Sequence, residues 1–246
     1  MSAGDVARAV SRTLGELLVT AGLVVLLFAA HLLWGTGAET ADAQAELREE
    51  IELAWAAAPA AEPAPRGVAP VAPATAPAAE EPVPVAGPEV AGAVAVVRVP
   101  AFGPDYAYAV VEGVTTEALK KGPGHMPGTA LPGEVGNVVL SGHRTTYGAP
   151  FADVGELVPG DAVVLETADG WHVYRVRDLE VVPPTAVEVT LPVPRQPGVA
   201  PTERLLTLTT CHPRYSARQR LVVTAVLDET RPRATGAPAV LAAAGG

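Results

Sequence analysis

Cys211 is the only thiol in the chain and stands at the end of the run LLTLTTC, with Pro213 two residues on to stop the strand from continuing. A strand end holds a side chain rigidly and leaves it open to a cleft, which suits a nucleophile. The bland alternative is a buried cysteine acting as a small hydrophobe. Its polar neighbours argue against that, as does the oxidation hazard of a free thiol in a domain that the flanking segments, described below, turn outward. One cysteine also excludes an intramolecular disulfide and a multi-thiolate zinc site.

A nucleophilic thiol needs a group to manage protons and a group to steady charge. Of the five histidines, His31 lies inside an apolar run and His172 sits in a strand pattern with no special context, where it reads as a surface residue. His212 adjoins Cys211, and neighbours on an extended chain point to opposite faces, so its ring cannot easily meet the sulfur. His125, in GPGHMPG, fits either a cleft or a solvated turn. His143 ends the run GNVVLSGH and shares the strand-end placement of the thiol; by geometry it is the best partner. Three arginines lie within nine residues after Cys211. Arg214 comes just after Pro213 and reads as solvated, whereas Arg218 and Arg220 share one strand parity. An arginine at Arg220 could pair with Asp228 or Glu180, or serve a substrate oxygen. Asp153, Glu156 and Asp161 read as solvated turn residues, so no metal and no cofactor are expected.

These residues need a scaffold of strands. The segments 93–99, 106–113, 136–143, 161–168, 171–182, 205–211 and 220–227 are β-branched or alternating. VPGD, ADG and the proline-rich stretch 183–201 supply the turns between them. One short helix is expected over 115–121, capped by Thr115 or Thr116 and ended by Gly122-Pro123. Many short strands with little helix indicate a sandwich or a closed barrel, and periodicity does not choose between them.

Outside this domain the composition changes. The run LLVTAGLVVLLFAAHLLW (17–34) is uncharged at neutral pH, and with its flanks (14–35) it reaches the roughly 20 residues of a membrane span. Arg8 and Arg12 precede it and Glu39 and Asp42 follow, so the positive-inside rule puts residues 1–13 in the cytoplasm and the rest outside. The run exceeds a signal-peptide core and Trp34 suits an interface, which favours an uncleaved anchor over a cleaved signal. In 36–55, Leu47, Ile51 and Ala54 or Trp55 recur at helical spacing and suggest a solvated juxtamembrane helix. Residues 56–92 hold nine prolines and read as a semi-extended spacer that could reach about 100 Å. The tail 231–246 reads as disordered, leaving 93–230 for one core. The formal net charge of −10, with no basic cluster, argues against nucleic acid as a partner.

TLTTC211, an arginine nine residues on in SARQR220LVV, and the upstream LSGH143RTTYG together resemble the sortases. GHRTTYGAPF, TLTTCHPRYSARQRLVV and GPGHMPGTALPGEVGN are most similar to the class E sortases of GC-rich Gram-positive bacteria. The resemblance covers about 93–230, in the family's order His, Cys, Arg and behind a type II anchor. It implies a closed eight-stranded β-barrel, with Cys211 as nucleophile, His143 as general acid/base and Arg220 at the oxyanion. Thr210 and Tyr147 are the expected substrate contacts. The implied reaction cleaves an LAXTG- or LPXTG-like C-terminal sorting signal between Thr and Gly through a Cys thioacyl. The protein is then passed to an amine of a peptidoglycan precursor (lipid II) at the outer membrane face. Two other classes remain: a non-catalytic wall-associated scaffold, and an L,D-transpeptidase, whose SHGC-type motif is absent here.

Overall fold

The computed structural model describes residues 3–30, 35–57 and 92–242. Most of the spacer, His31, Trp34 and residues 243–246 lie outside the described residues. The first helix, α1 (Ala3–Ala30), carries an 18-residue window, Ser11–Phe28, with a mean hydropathy of 1.6 and nothing packed on it. It is long and apolar enough to cross a membrane. A second helix, α2, spans Thr36–Ala57.

The eight strands are β1 (Ala93–Arg98), β2 (Ala107–Glu112), β3 (Gly124–His125), β4 (Gly136–Ser141), β5 (Ala162–Glu166), β6 (Gly170–Val182), β7 (Arg204–His212) and β8 (Gln219–Pro232). They close in the order β1-β2-β3-β4-β7-β8-β6-β5. The closing seam is antiparallel, with Val97 opposite Leu165, so the fold is a barrel and not a sandwich. Only β2/β3 and β4/β7 pair in parallel. Alternation sends Val97, Val110, Leu140, Leu165, Leu206, Leu208 and Val223 inward to one aliphatic core. The short helix α3 (Thr116–Lys121) forms as expected, with the Thr115 hydroxyl accepting from the Ala118 amide at 3.2 Å.

Two expectations need correction. First, α2 is not a solvated helix. Its stripe of Leu47 and Ile51 (2% exposed) packs on Ala93, Val96, Ala107, Ala109 and Val111, the outer face of β1 and β2. Because β3 pairs only with Val111 and Glu112, the neighbouring edge of β2 would be left open. Gln44 closes it, accepting from the Ala109 amide (2.7 Å) and donating to the Ala109 carbonyl (3.0 Å). Gln44 and Thr40 also donate to the last carbonyls of α3, at Lys121 and Lys120 (2.8 and 2.7 Å). Trp55 then stacks under the Arg233 guanidinium, 4.1 Å from ring centre to Cζ. Second, the tail is not wholly disordered. β8 runs on to Pro232, and Val240 and Leu241 of a last helical turn, α4 (Ala239–Ala242), pack on Ala162, Val164, Trp171 and Val173.

Candidate active site

β4 and β7 run parallel and side by side, so both chains leave the barrel at the same end. β8 enters at that end, antiparallel to β7, with Arg220 directly opposite Cys211. Residues directly opposite in an antiparallel pair share a face, with Cβ atoms roughly 5 Å apart. Cys211 is half-buried, and His143 stands two residues past the end of β4. Topology therefore gathers Cys211, His143 and Arg220 at one rim.

The ties that fix the rim stop just short of these side chains. The Gly142 amide donates to the Thr209 carbonyl (3.1 Å), and the Ser141 and Thr209 hydroxyls share a hydrogen bond (2.8 Å). Thr210 is only 3% exposed, and its hydroxyl donates to the Gly142 carbonyl at 2.8 Å. Its side chain, expected at the substrate, faces inward here and binds the thiol strand to the His143 segment. Gly142 must be glycine, because a Cβ there would come within 2.7 Å of the buried Phe151 ring. Phe151 in turn donates its amide to the His143 carbonyl (3.0 Å).

Beyond His143 the loop is tied to the β2 segment, whose Tyr106 and Tyr108 pack against the core, and to α2. Tyr106 and Tyr108 donate their hydroxyls to the carbonyls of Pro150 (2.6 Å) and Gly148 (3.0 Å). Burial pushes both phenols above their ordinary pKa, keeping them protonated as donors. The Tyr147 ring lies 5.0 Å from the His143 ring, tilted by 38°, and its amide donates to Thr36 Oγ1 of α2 (3.4 Å). Tyr147 thus stays at the rim beside the imidazole.

Burial lowers the pKa of His143 below 6.5, so its ring is neutral at neutral pH. Its Nε2 is buried and has no hydrogen-bond partner. The Arg220 guanidinium donates from Nη1 to the Ala217 and Gln219 carbonyls, each at 3.0 Å. The carboxylates that could have taken it are engaged elsewhere: Asp228 by Arg175 (3.0 Å) and Glu180 by Arg195. Arg218 precedes β8 and is not in register with the thiol.

Other residues sit differently from the sequence reading. His172 is 5% exposed, not a surface residue; it shares the inward parity of Tyr174 and approaches the Thr167 hydroxyl at 3.2 Å. His125 is buried too, with Nδ1 on Glu112 (2.7 Å) and Nε2 on the Ala130 carbonyl (3.0 Å), so it braces the β3–β4 connection. Arg214 is ion-paired to Asp153 at 2.8 Å. One residue of the rim escaped sequence reasoning. Arg144, next to His143, donates from Nη1 to the Cys211 carbonyl (3.3 Å) and to His212 Nδ1 (2.9 Å). Burial, and then Arg214, push its pKa down, while Asp153 and Cys211 push it back up. Among the described residues no group of three or more His, Cys, Asp or Glu side chains is disposed to hold a metal ion.

Residues 97–228 match the sortase domain family. The chain is 33% identical over 94% of its length to sortase SrtE1 of Streptomyces coelicolor, and spans 61% of that relative's length. It is 32% identical over 92% of its length to sortase SrtE2 of the same organism, spanning 85% of that one. The solved structure of S. coelicolor sortase E1 with a tripeptide in the active site superposes with a TM-score of 0.56 at 37% identity, covering 61% of this chain and 96% of that one. The closed barrel is what this chain shares with these relatives, and the chain belongs to the sortase family, on its class E side.

Proposed function

We propose that the chain is a membrane-anchored cysteine transpeptidase acting on LAXTG- or LPXTG-like C-terminal sorting signals. The observation that carries this is the register of Cys211 against Arg220, with His143 leaving the adjacent parallel strand at the same rim. The Cys211 thiol passes its proton to His143 as the sulfur attacks the carbonyl carbon of the signal's Thr, and the carbonyl oxygen takes up negative charge. Arg220 lies across from the sulfur. Among the described residues its Nε and Nη2 make no hydrogen bond, which leaves them to meet that oxygen. As the tetrahedral centre collapses, the Thr–Gly bond breaks and the Gly nitrogen leaves with a proton from His143. A thioacyl on Cys211 remains. An incoming amine then attacks it, giving its proton to the imidazole, and the thiol is regenerated with a new amide bond. A half-buried ring with an unpartnered Nε2 and a lowered pKa suits a proton carrier working near neutrality.

The tripeptide in the active site of the S. coelicolor relative supports a peptide substrate. Tyr147, stacked beside His143, is a candidate wall of the peptide groove. The length and apolarity of α1, with Arg8 and Arg12 in its N-terminal turns, support an anchor with its N-terminus in the cytoplasm and the barrel outside. Lipid II is then the acceptor in reach, through its amine. The chemistry as written needs no metal, so EDTA is expected to leave turnover unchanged. The test is to incubate the full chain in detergent with LAXTG and LPXTG peptides plus an amine, and to weigh the products. Cleavage after Thr with transfer to the amine supports the function; intact peptides, or equal turnover by Cys211→Ala, would refute it.

A further inference from the structure

The β4/β7 ladder ends at Ser141 and Thr209, and past the ties of Gly142 to Thr209 and Thr210 no backbone hydrogen bond among the described residues fixes the segment that carries His143 against the segment that carries Cys211. Two arginines cross this gap in opposite directions. Arg144 reaches from beside His143 to the Cys211 carbonyl and the His212 ring. Arg214 reaches back from the Cys211 turn, donating from Nη2 to the Ala152 carbonyl and the Asp153 carboxylate, each at 2.8 Å. Of the two, Arg144 is the inner. Its Nε is buried without a partner, and the neighbouring carboxylate, Asp153, is bonded to Arg214 instead. A half-buried guanidinium with no carboxylate of its own is a poor device for stability, since charge leaving water needs a counter-charge. Its contacts make sense if what they serve is the spacing of the two functional segments. Gly155 leaves the room: a Cβ at that position would lie 2.9 Å from Arg144 Nη2.

We propose that Arg144 is a positioning residue of the active site, whose guanidinium, with Arg214 as the outer return tie, holds the His143 loop at its working distance from Cys211. The proposal rests on the transpeptidase function above. Nη1 serves two acceptors at once while the plane of the guanidinium packs toward Gly155, a geometry that the single ammonium of lysine does not reproduce. Small displacements of a proton carrier are expensive: a misplacement near 1 Å can cost about 10²-fold.

The experiment compares full-length wild type, Arg144→Gln, Arg144→Lys, Gly155→Ala, His143→Ala and the double variant Arg144→Gln/His143→Ala, with Arg175→Gln as an exposed ion-paired control. Arg144→Gln is expected to lower kcat by about 10- to 10²-fold with little change in KM, and Arg144→Lys not to restore it. Gly155→Ala, which keeps every charge but displaces the guanidinium, should lower kcat in the same sense. His143→Ala should cost much less in the Arg144→Gln background than in wild type, because a misplaced imidazole has less to lose. Should Arg144→Gln fail to fold, Gly155→Ala combined with His143→Ala carries the same test. Fully additive losses, or an unchanged kcat in Arg144→Gln or in Gly155→Ala, would overturn the proposal. Alkylation of Cys211, the sole thiol, by iodoacetamide separates this from the parent function. If wild type turned over no sorting peptide, the transpeptidase function would fall. The positioning role would still predict slower alkylation in Arg144→Gln than in Arg175→Gln, and equal rates would refute it.

Discussion

The barrel has two decorated regions, and they are built on opposite principles. Where α2 lies on β1, β2 and α3, most polar groups have partners: Gln44 takes the open edge of β2 and, with Thr40, the end of α3, while Leu47 and Ile51 bury an apolar seam, and Arg48 Nε is the one side-chain atom of this helix buried without a partner among the described residues. At the rim of β4, β7 and β8 the polar groups are left short. His143 Nε2 and Arg144 Nε are buried without partners, and Arg220 rests on two backbone carbonyls with no carboxylate. Satisfied groups stabilise, and unsatisfied ones are held ready for something that is not part of the chain. What marks the rim is that two such atoms, on the adjacent residues His143 and Arg144, share it with the chain's one thiol, whereas α2 leaves a single one, Arg48 Nε.

That contrast can be broken most severely at the rim. Cys211→Ala should abolish both cleavage and thioacyl formation while leaving the melting temperature nearly unchanged. His143→Ala is expected to lose about 10²–10⁴-fold in kcat/KM, the usual worth of general acid–base help. Arg220→Lys keeps the charge but loses the planar fork, and should lose at least about 10²-fold in kcat/KM. Arg218→Lys, outside the register, should lose far less; the reverse order of these two would move the oxyanion assignment two residues upstream.

The α2 region should respond in the other currency. Ile51→Ala removes a buried side chain and should cost about 2–5 kcal/mol of stability, read as a drop in melting temperature of several degrees, with kcat/KM well below that temperature unchanged. Equal damage to activity would mean that α2 does more than brace the barrel. The smallest expected effect is one of pH. Burial lowers the pKa of His172, so its folded form resists a proton that the unfolded chain accepts. Its contribution is absent at high pH and becomes destabilising as pH falls below about 6.5. Melting temperature should therefore fall with acidification through that range, and less steeply in His172→Gln; identical slopes would contradict the burial argument.

Much of this was legible in the residues. The strand ends that carry Cys211 and His143 are legible because the patterns of both strands are plain, whereas Arg220 is singled out from Arg214 and Arg218 only by the sortase resemblance; the structure sets it opposite Cys211. Periodicity could not tell barrel from sandwich, since closure depends on which edges meet, here β1 with β5. β3 was missed because two residues, Gly124 and His125, carry no period. The stripe on α2 was visible, but a stripe does not name the surface that will cover it. His172 could have been placed better: it shares parity with Tyr174 and Val176, and strand parity, once read, turns all three inward. Arg144 was beyond reach, because what identifies it is where a long side chain goes, and spacing holds no record of that.

The central claim is that Cys211 carries the acyl group. It is tested most directly by the intact mass of the full-length protein after brief exposure to an LAXTG-containing peptide without an acceptor amine. The account predicts an adduct equal to the peptide up to its Thr, on Cys211, that disappears when an amine is added and never forms in Cys211→Ala. Peptide cleavage with no adduct on Cys211, or an adduct that persists in Cys211→Ala, would contradict it.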